Sequence, residues 1–243
     1  MNDVDREAAE IVQARAGHDG GFFGRRMGKA LRAGQRSLFE TRLPRLAVPI
    51  DAPRPAELAT LFASEVHDVW LEIGFGGGEH LIATAEANPT VGLIGAEPFV
   101  NGMAKGLAAL ETSTVGERMR LHHADALPLL DWLPSGSLGR VYLLYPDPWP
   151  KVRHWKRRFV STANLDRLAR VIRSGGEFRF ASDWAPYVDW TLLHLLDHSA
   201  FDWTAECADD WRKPWPDWPG TRYESKALRE GRKPAYLIAR RRA

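Results

Sequence analysis

Two spacings of apolar residues alternate along most of the chain. From residue 68 onward, short continuous apolar runs ("DVWLEIGF", "TVGLIGAEP", "MRLHHAD", "GRVYLLYPD", "EFRFASD") are followed by stretches with apolar residues three and four apart. The latter include "EHLIATAEAN", "FVNGMAKGLAALET" and "TANLDRLARVIR", with "ALPLLDWL" lying between the third and fourth runs. A continuous apolar run suits a strand buried on both faces, and three-four spacing suits an amphipathic helix. Their alternation predicts an α/β fold whose parallel sheet is covered by helices on both faces. The "TANLDRLARVIR" helix should stop at Ser174-Gly175-Gly176, and "WAPYVDWTLLHLLDHS" predicts a long helix. "FDWTAE" and "AYLIARR" read as late strands around a Pro/Trp/Gly-rich insert at 207–220.

The pattern upstream is different. Residues 1–20 are polar and acidic and read as disordered, while 21–48 carry a basic sequence with a short helix expected after Gly34. Prolines at 49, 53 and 55 mark a linker, and "AELATLFA" reads as a first helix. The expected division is a flexible basic arm over 1–48 and a single domain over 49–243.

Sheets of this kind bind ligands beyond the carboxyl ends of their strands. An acid falls at each such end: Glu72, Glu97, Asp125, Asp147 and Asp183. One alone would pass for a helix cap. Five together point to a shared crevice. The first strand–helix turn, "LEIGFGGGEH", supplies Gly74, Gly76, Gly77 and Gly78, but a dinucleotide fingerprint starting at Gly74 needs glycine where Glu79 stands. A glutamate at a helix start, with Glu72 ahead of the loop, disfavours a pyrophosphate and favours a cation. S-adenosylmethionine has a sulfonium, an ammonium group and a ribose diol, and no phosphate. Glu97 stands where an acid would grip ribose hydroxyls. No phosphate-loop motif of the NTPase kind occurs.

Charge sharpens this picture. The net charge is +2, yet residues 49–147 hold 5 Lys/Arg against 13 Asp/Glu, whereas 219–243 hold 8 against 2. An acidic middle with basic flanks suits a cation in the core and a polyanion at the rim, although solvated charged faces give the same counts. A single cysteine, Cys207, excludes an internal disulfide and fits a reducing cytosol. No metal-binding cluster, signal peptide or run of about 20 apolar residues is evident, so a cytoplasmic protein without metal or membrane contact is expected.

The stretch "YPDPWPKVRHWKRR" unites both charge signs. Pro146 and Pro148 stiffen the backbone around Asp147, which presents its carboxylate at the end of the fourth strand. Lys151, Arg153, Lys156, Arg157 and Arg158 follow, spaced to face outward toward phosphates, and Arg25 and Arg26 in the arm join them as RNA-phosphate candidates. Trp149 offers either a stacking plane for a base or a plug under the loop.

At these residues the chain resembles the bacterial tRNA (guanine-N7-)-methyltransferases. "LEIGFGGGEH", "GAEP", "HHADA", "YPDPWPK" with its basic tail, "ASD" and "TRYE" carry the resemblance, which extends from about Arg25 onward. It implies a class I, Rossmann-like methyltransferase fold with a mostly parallel seven-stranded sheet and helices on both faces. It further implies that Glu72, Gly74, Gly76, Glu97, Asp125 and Asp147 bind S-adenosylmethionine, with Asp147 also the active-site residue. Lys151, Asp183, Thr221, Arg222, Tyr223 and Glu224 would hold the substrate guanosine of the tRNA variable loop, in a monomer or homodimer. The arm departs from the family pattern, having Lys29 in the second basic place and no threonine, and Val152 follows Lys151. The residues by themselves leave open a methyltransferase acting on another RNA or a protein, and a non-catalytic RNA-binding module.

Overall fold

The computed structural model describes residues 22–243; the stretch 1–20 expected to be disordered lies outside the described residues. Seven strands form one sheet: β1 (Asp68–Ile73), β2 (Val91–Ala96), β3 (Met119–His122), β4 (Leu138–Leu144), β5 (Ile172–Ser182), β6 (Phe201–Trp203) and β7 (Ala235–Arg241). Their order is β3-β2-β1-β4-β5-β7-β6. The first five are parallel neighbours, and β7 runs antiparallel to both β5 and β6. β2 is buried at every position, as a central strand covered on both faces must be.

Helices cover both faces. The core on one side gathers Leu71, Ile73, Leu129, Leu165, Leu168, Phe178, Phe180 and Tyr187. It packs under α5 (Ala126–Trp132), α6 (Thr162–Val171) and α7 (Ala185–Asp197). The other side gathers Phe75, Leu81, Met103, Leu107, Tyr142, Trp215 and Tyr236. It lies under α3 (Glu79–Ala87), α4 (Val100–Leu110) and the insert. The alternating pattern of the sequence thus becomes two layers of helix on one sheet.

Two elements differ from the expectation, and a helix forms at 222–229 where the apolar spacing predicts none. "AELATLFA" forms only a 3₁₀ turn at Leu58–Leu61, because one turn suffices to bury both Leu58 and Phe62. Helix α6 stops at Val171, and Ile172 enters β5 directly. Ile172 pairs with Leu138, and the register then shifts before Arg140 meets Glu177, so Ser174-Gly175-Gly176 forms an irregularity inside the strand rather than a stop before it. "TRYE" opens a helix, α9 (Arg222–Arg229), preceded in the insert by the single turn α8 (Asp209–Arg212). Upstream, α1 (Ala33–Thr41) and α2 (Leu43–Leu46) lead to Ala47, which bridges Leu121 at the β3 edge.

Candidate active site

The turn after β1 is built for close approach. Gly74 and Gly76 have φ of 73° and 60°, a left-handed conformation that side chains resist. Glu97, directly after β2, ties this turn in place. Its Oε2 accepts the Gly76 N–H at 2.6 Å and its Oε1 the Phe99 N–H at 2.8 Å. Burial raises the Glu97 carboxyl above its ordinary value, opposed by those two bonds and by Arg222. Asp125, after β3, caps α5 by accepting the Leu127 N–H at 3.2 Å.

Asp147 arrives on a strained turn. Tyr145 and Trp149, which bracket Pro146-Asp147-Pro148, both adopt left-handed backbone, with φ of 49° and 45°. Such conformations in residues with side chains cost on the order of 1–3 kcal/mol each and persist where the surroundings impose them. Tyr145 is fixed by its N–H, which donates to the Ala181 carbonyl at 2.7 Å. The Asp147 side chain reaches the surface, but the walls beside it displace enough water to raise its carboxyl. The sequence reveals the two prolines but not this pair of left-handed residues.

Glu97, Asp125 and Asp147 line one cavity of about 340 Å³, together with Gly74, Gly76 and the apolar Ile73, Ala96, Leu127 and Leu143. The other two strand-end acids lie elsewhere. Glu72 projects to the opposite side of β1, where it is buried and bonded to His80 Nδ1 at 2.7 Å, beside a small cleft that shares only Gly74, Leu144, Tyr145, Arg222 and Tyr223 with the cavity. Asp183 is paired with Arg232 Nε at 2.5 Å and does not line the cavity. Strand alternation accounts for Glu72: Ile73 takes the cavity side, so its neighbour cannot.

The basic run divides as well. Lys151, Arg153 and Lys156 are exposed, with Lys156 at the cavity wall. Arg157 turns inward over Trp149, 4.9 Å from the ring centre, and over Phe23 at 5.4 Å. Trp149 thereby packs against a guanidinium and lines the cavity. The outward orientation expected for Arg158 is not observed. It is 3% exposed, enclosed by Trp155, Tyr187 and Trp190, and burial lowers its guanidinium to about 10. A charge so enclosed cannot meet a phosphate in solvent.

Within Thr221–Glu224 the roles separate. Arg222 and Tyr223 line the cavity, and the Arg222 guanidinium lies against Gly76. Thr221 caps α9 by accepting the Glu224 N–H at 3.0 Å. Glu224 is buried and accepts from Trp218 Nε1 at 2.8 Å and from the Tyr236 hydroxyl, so it braces the helix rather than the cavity. Phe22, Phe23, Gly24 and Arg25 also line the cavity, while Arg26 is exposed. The sequence singled out Arg25 only for its charge.

The cavity fits S-adenosylmethionine better than a dinucleotide. Glu97 spends one oxygen on the Gly76 N–H of the glycine turn and the other on the Phe99 N–H at the start of α4, so a pyrophosphate there would meet a carboxylate instead of a free donor. The apolar strip of Ile73, Ala96, Leu127 and Leu143 suits an uncharged base, and three carboxylates suit hydroxyls and a cation. Among the described residues, no group of three or more His, Cys, Asp or Glu is arranged to hold a metal ion. No described helix is long and apolar enough to cross a membrane.

Comparison with known proteins places this geometry. A family model described as a methyltransferase matches residues 67–237. A tRNA (guanine-N(7)-)-methyltransferase of Chelativorans sp. (strain BNC1) is 57% identical over 89% of this chain and 93% of its own. One from Rhodopseudomonas palustris (strain HaA2) is 58% identical over 93% of this chain and 88% of its own. In fold alone, the chain is similar to the 16S rRNA methyltransferase KamB, with a TM-score of 0.50 at 18% identity over 74% of this chain and 91% of the other. A precorrin-6y C5,15-methyltransferase from Geobacter metallireducens GS-15 gives 0.50 at 17% identity over 89% and 94%. With relatives this close along nearly the full length, and with the glycine turn and Pro-Asp-Pro turn meeting over one cavity, the chain belongs to the tRNA (guanine-N(7)-)-methyltransferase family.

Proposed function

We propose that this protein methylates N7 of a guanosine in the tRNA variable loop, using S-adenosylmethionine. The observation that carries this reading is the convergence of Glu97, Asp125 and Asp147 on one cavity beneath the glycine turn. When bound, the cofactor supplies an electrophilic methyl group on a sulfonium and leaves as a neutral thioether. Glu97 and Asp125 hold its hydroxyl and base portions, and Gly74 and Gly76 let it approach the backbone. Glu72, bonded to His80 behind the turn, supports the loop from below.

Guanine N7 has an in-plane lone pair and carries no proton, so no residue needs to act as a base. The protein's task is alignment, which supplies roughly 7–11 kcal/mol in favourable cases. Asp147 is held on its strained turn beside the reacting atoms, and its poorly hydrated carboxylate faces the positive charge that develops on the purine. Lys151 and Arg222 approach the substrate from either side, with Tyr223 beside Arg222. Asp183 reads the N1–H and amino edge of guanine, using the carboxylate oxygen that Arg232 does not occupy or displacing Arg232. Arg153, Lys156 and the arm residues Arg25 and Arg26 receive tRNA phosphates, and the domain over 49–243 performs the chemistry in the cytoplasm.

The product identifies the reaction. Unmodified tRNA incubated with the protein and S-adenosylmethionine should become cleavable by borohydride and aniline at one guanosine of the variable loop. Methyl incorporation without that cleavage would assign a different atom or a different substrate.

A further inference from the structure

Among the five bases that follow the Pro-Asp-Pro turn, one is buried. Arg158 Nε donates to the Pro148 carbonyl at 3.1 Å, and its Nη1 donates to the Pro186 carbonyl at 3.2 Å. Pro148 belongs to the turn that carries Asp147; Pro186 lies in the first turn of α7, three residues after Asp183. The guanidinium sits 4.6 Å from the Trp155 ring centre, 4.9 Å from that of Tyr187 and 5.3 Å from that of Trp190. The same two α7 aromatics also hold the chain just beyond it. Trp190 Nε1 donates to the Val160 carbonyl at 2.7 Å, and the Tyr187 hydroxyl accepts the Val160 N–H at 3.3 Å.

We infer that Arg158 is a positioning residue, which fixes the Asp147 turn to the start of α7 and so sets the carboxylate against the cofactor cavity. A turn bracketed by two left-handed residues relaxes unless its surroundings over-determine it. The Nε bond to Pro148 is one such restraint, acting on the residue next to Asp147. Arginine is required because two carbonyls in different segments need two donors of one rigid plane, and the aromatic cage stacks on that plane. Lysine offers a single mobile ammonium. The inference rests on the methyl-transfer reading above, and it removes Arg158 from the tRNA-contacting set.

The test compares Arg158→Lys and Arg158→Gln with wild type on unmodified tRNA. Both variants should lose about 10²-fold in kcat, the scale of an ångström-level misplacement. Their dissociation constants for tRNA and for S-adenosylmethionine should stay within about twofold of wild type, and the salt slope of tRNA binding should not change. Wild-type kcat in Arg158→Lys would overturn the proposal, as would a fall of about 0.7–0.9 in the log–log salt slope of Arg158→Gln, which marks a lost phosphate contact. If Arg158→Gln fails to bind cofactor or to melt cooperatively, the lysine variant decides. Failure of both to fold would assign Arg158 to stability and equally overturn the proposal. Absence of methyl transfer by wild type would instead refute the underlying reading, so the two failures are distinguishable.

Discussion

In the proposed function, Asp147 is a single side chain held in place at a cost in stability. Its surroundings disfavour the charged form and raise its carboxyl above the ordinary aspartate value of 3.8. A folded-state value above the unfolded one means that the protonated form favours folding. That contribution is full below the unfolded value and lost as pH rises through the folded one. At neutral pH the ionised carboxylate therefore works against folding, and Asp147→Asn should raise the melting temperature while suppressing methyl transfer. The gain should shrink as the pH is lowered toward 4, which thermal melts at a series of pH values would reveal. An equal melting temperature for the two proteins at pH 7 would show that the carboxylate is adequately hydrated. Asp147 was legible in the sequence because its two prolines and its place at a strand end are local features. Arg158 was not, because a run of bases gives each member the same appearance. Its distinction comes from Tyr187 and Trp190, about thirty residues later on α7. The local hint was its position immediately before the apolar Phe159-Val160.

At the scale of elements, the site depends on how closely α4 approaches the glycine turn. Gly102 lies on α4, and a Cβ there would come within 2.7 Å of the Gly76 carbonyl oxygen and 3.2 Å of Glu97 Cγ. Alanine is the better helix former by about 0.8–1 kcal/mol, so helix propensity alone predicts that Gly102→Ala stabilises. Contact with the turn should reverse that sign. Overpacking of this kind costs about 1–3 kcal/mol. Cofactor affinity measured by calorimetry should fall roughly tenfold, the equivalent of about 1.4 kcal/mol. Unchanged affinity would show that the turn shifts freely away from the helix. The strands and most helices were readable from apolar spacing, and so was the placement of five acids at strand ends. Which acids share a cavity was not, because side-chain alternation sends Glu72 and Ile73 to opposite faces and a distant Arg232 claims Asp183. Glu224 was hidden in the same way, since its partners Trp218 and Tyr236 come from the insert and from β7.

Across the whole molecule, the uneven charge of the sequence becomes a cavity lined by both charge signs. Glu97 and Asp125 come from the β2 and β3 ends, while Lys156 and Arg157 come from the segment after β4, with Asp147 on the same connection. The exposed Arg153 and Lys156 are the members of the basic run best placed for tRNA phosphates. Replacing both with glutamine should weaken tRNA binding and reduce its log–log salt slope by roughly 1.4–1.8, the loss of two phosphate contacts. An unchanged slope would move tRNA docking to the C-terminal cations. In the proposed reaction Asp147 acts through placement, beside a cofactor and a base that are held by other residues. The decisive measurement is the single-turnover rate of methyl transfer to tRNA by Asp147→Ala, with both substrates saturating. A placement role for Asp147 predicts tRNA and cofactor affinities close to wild type and a rate at least about 10²-fold lower; a rate within about threefold of wild type would contradict that role.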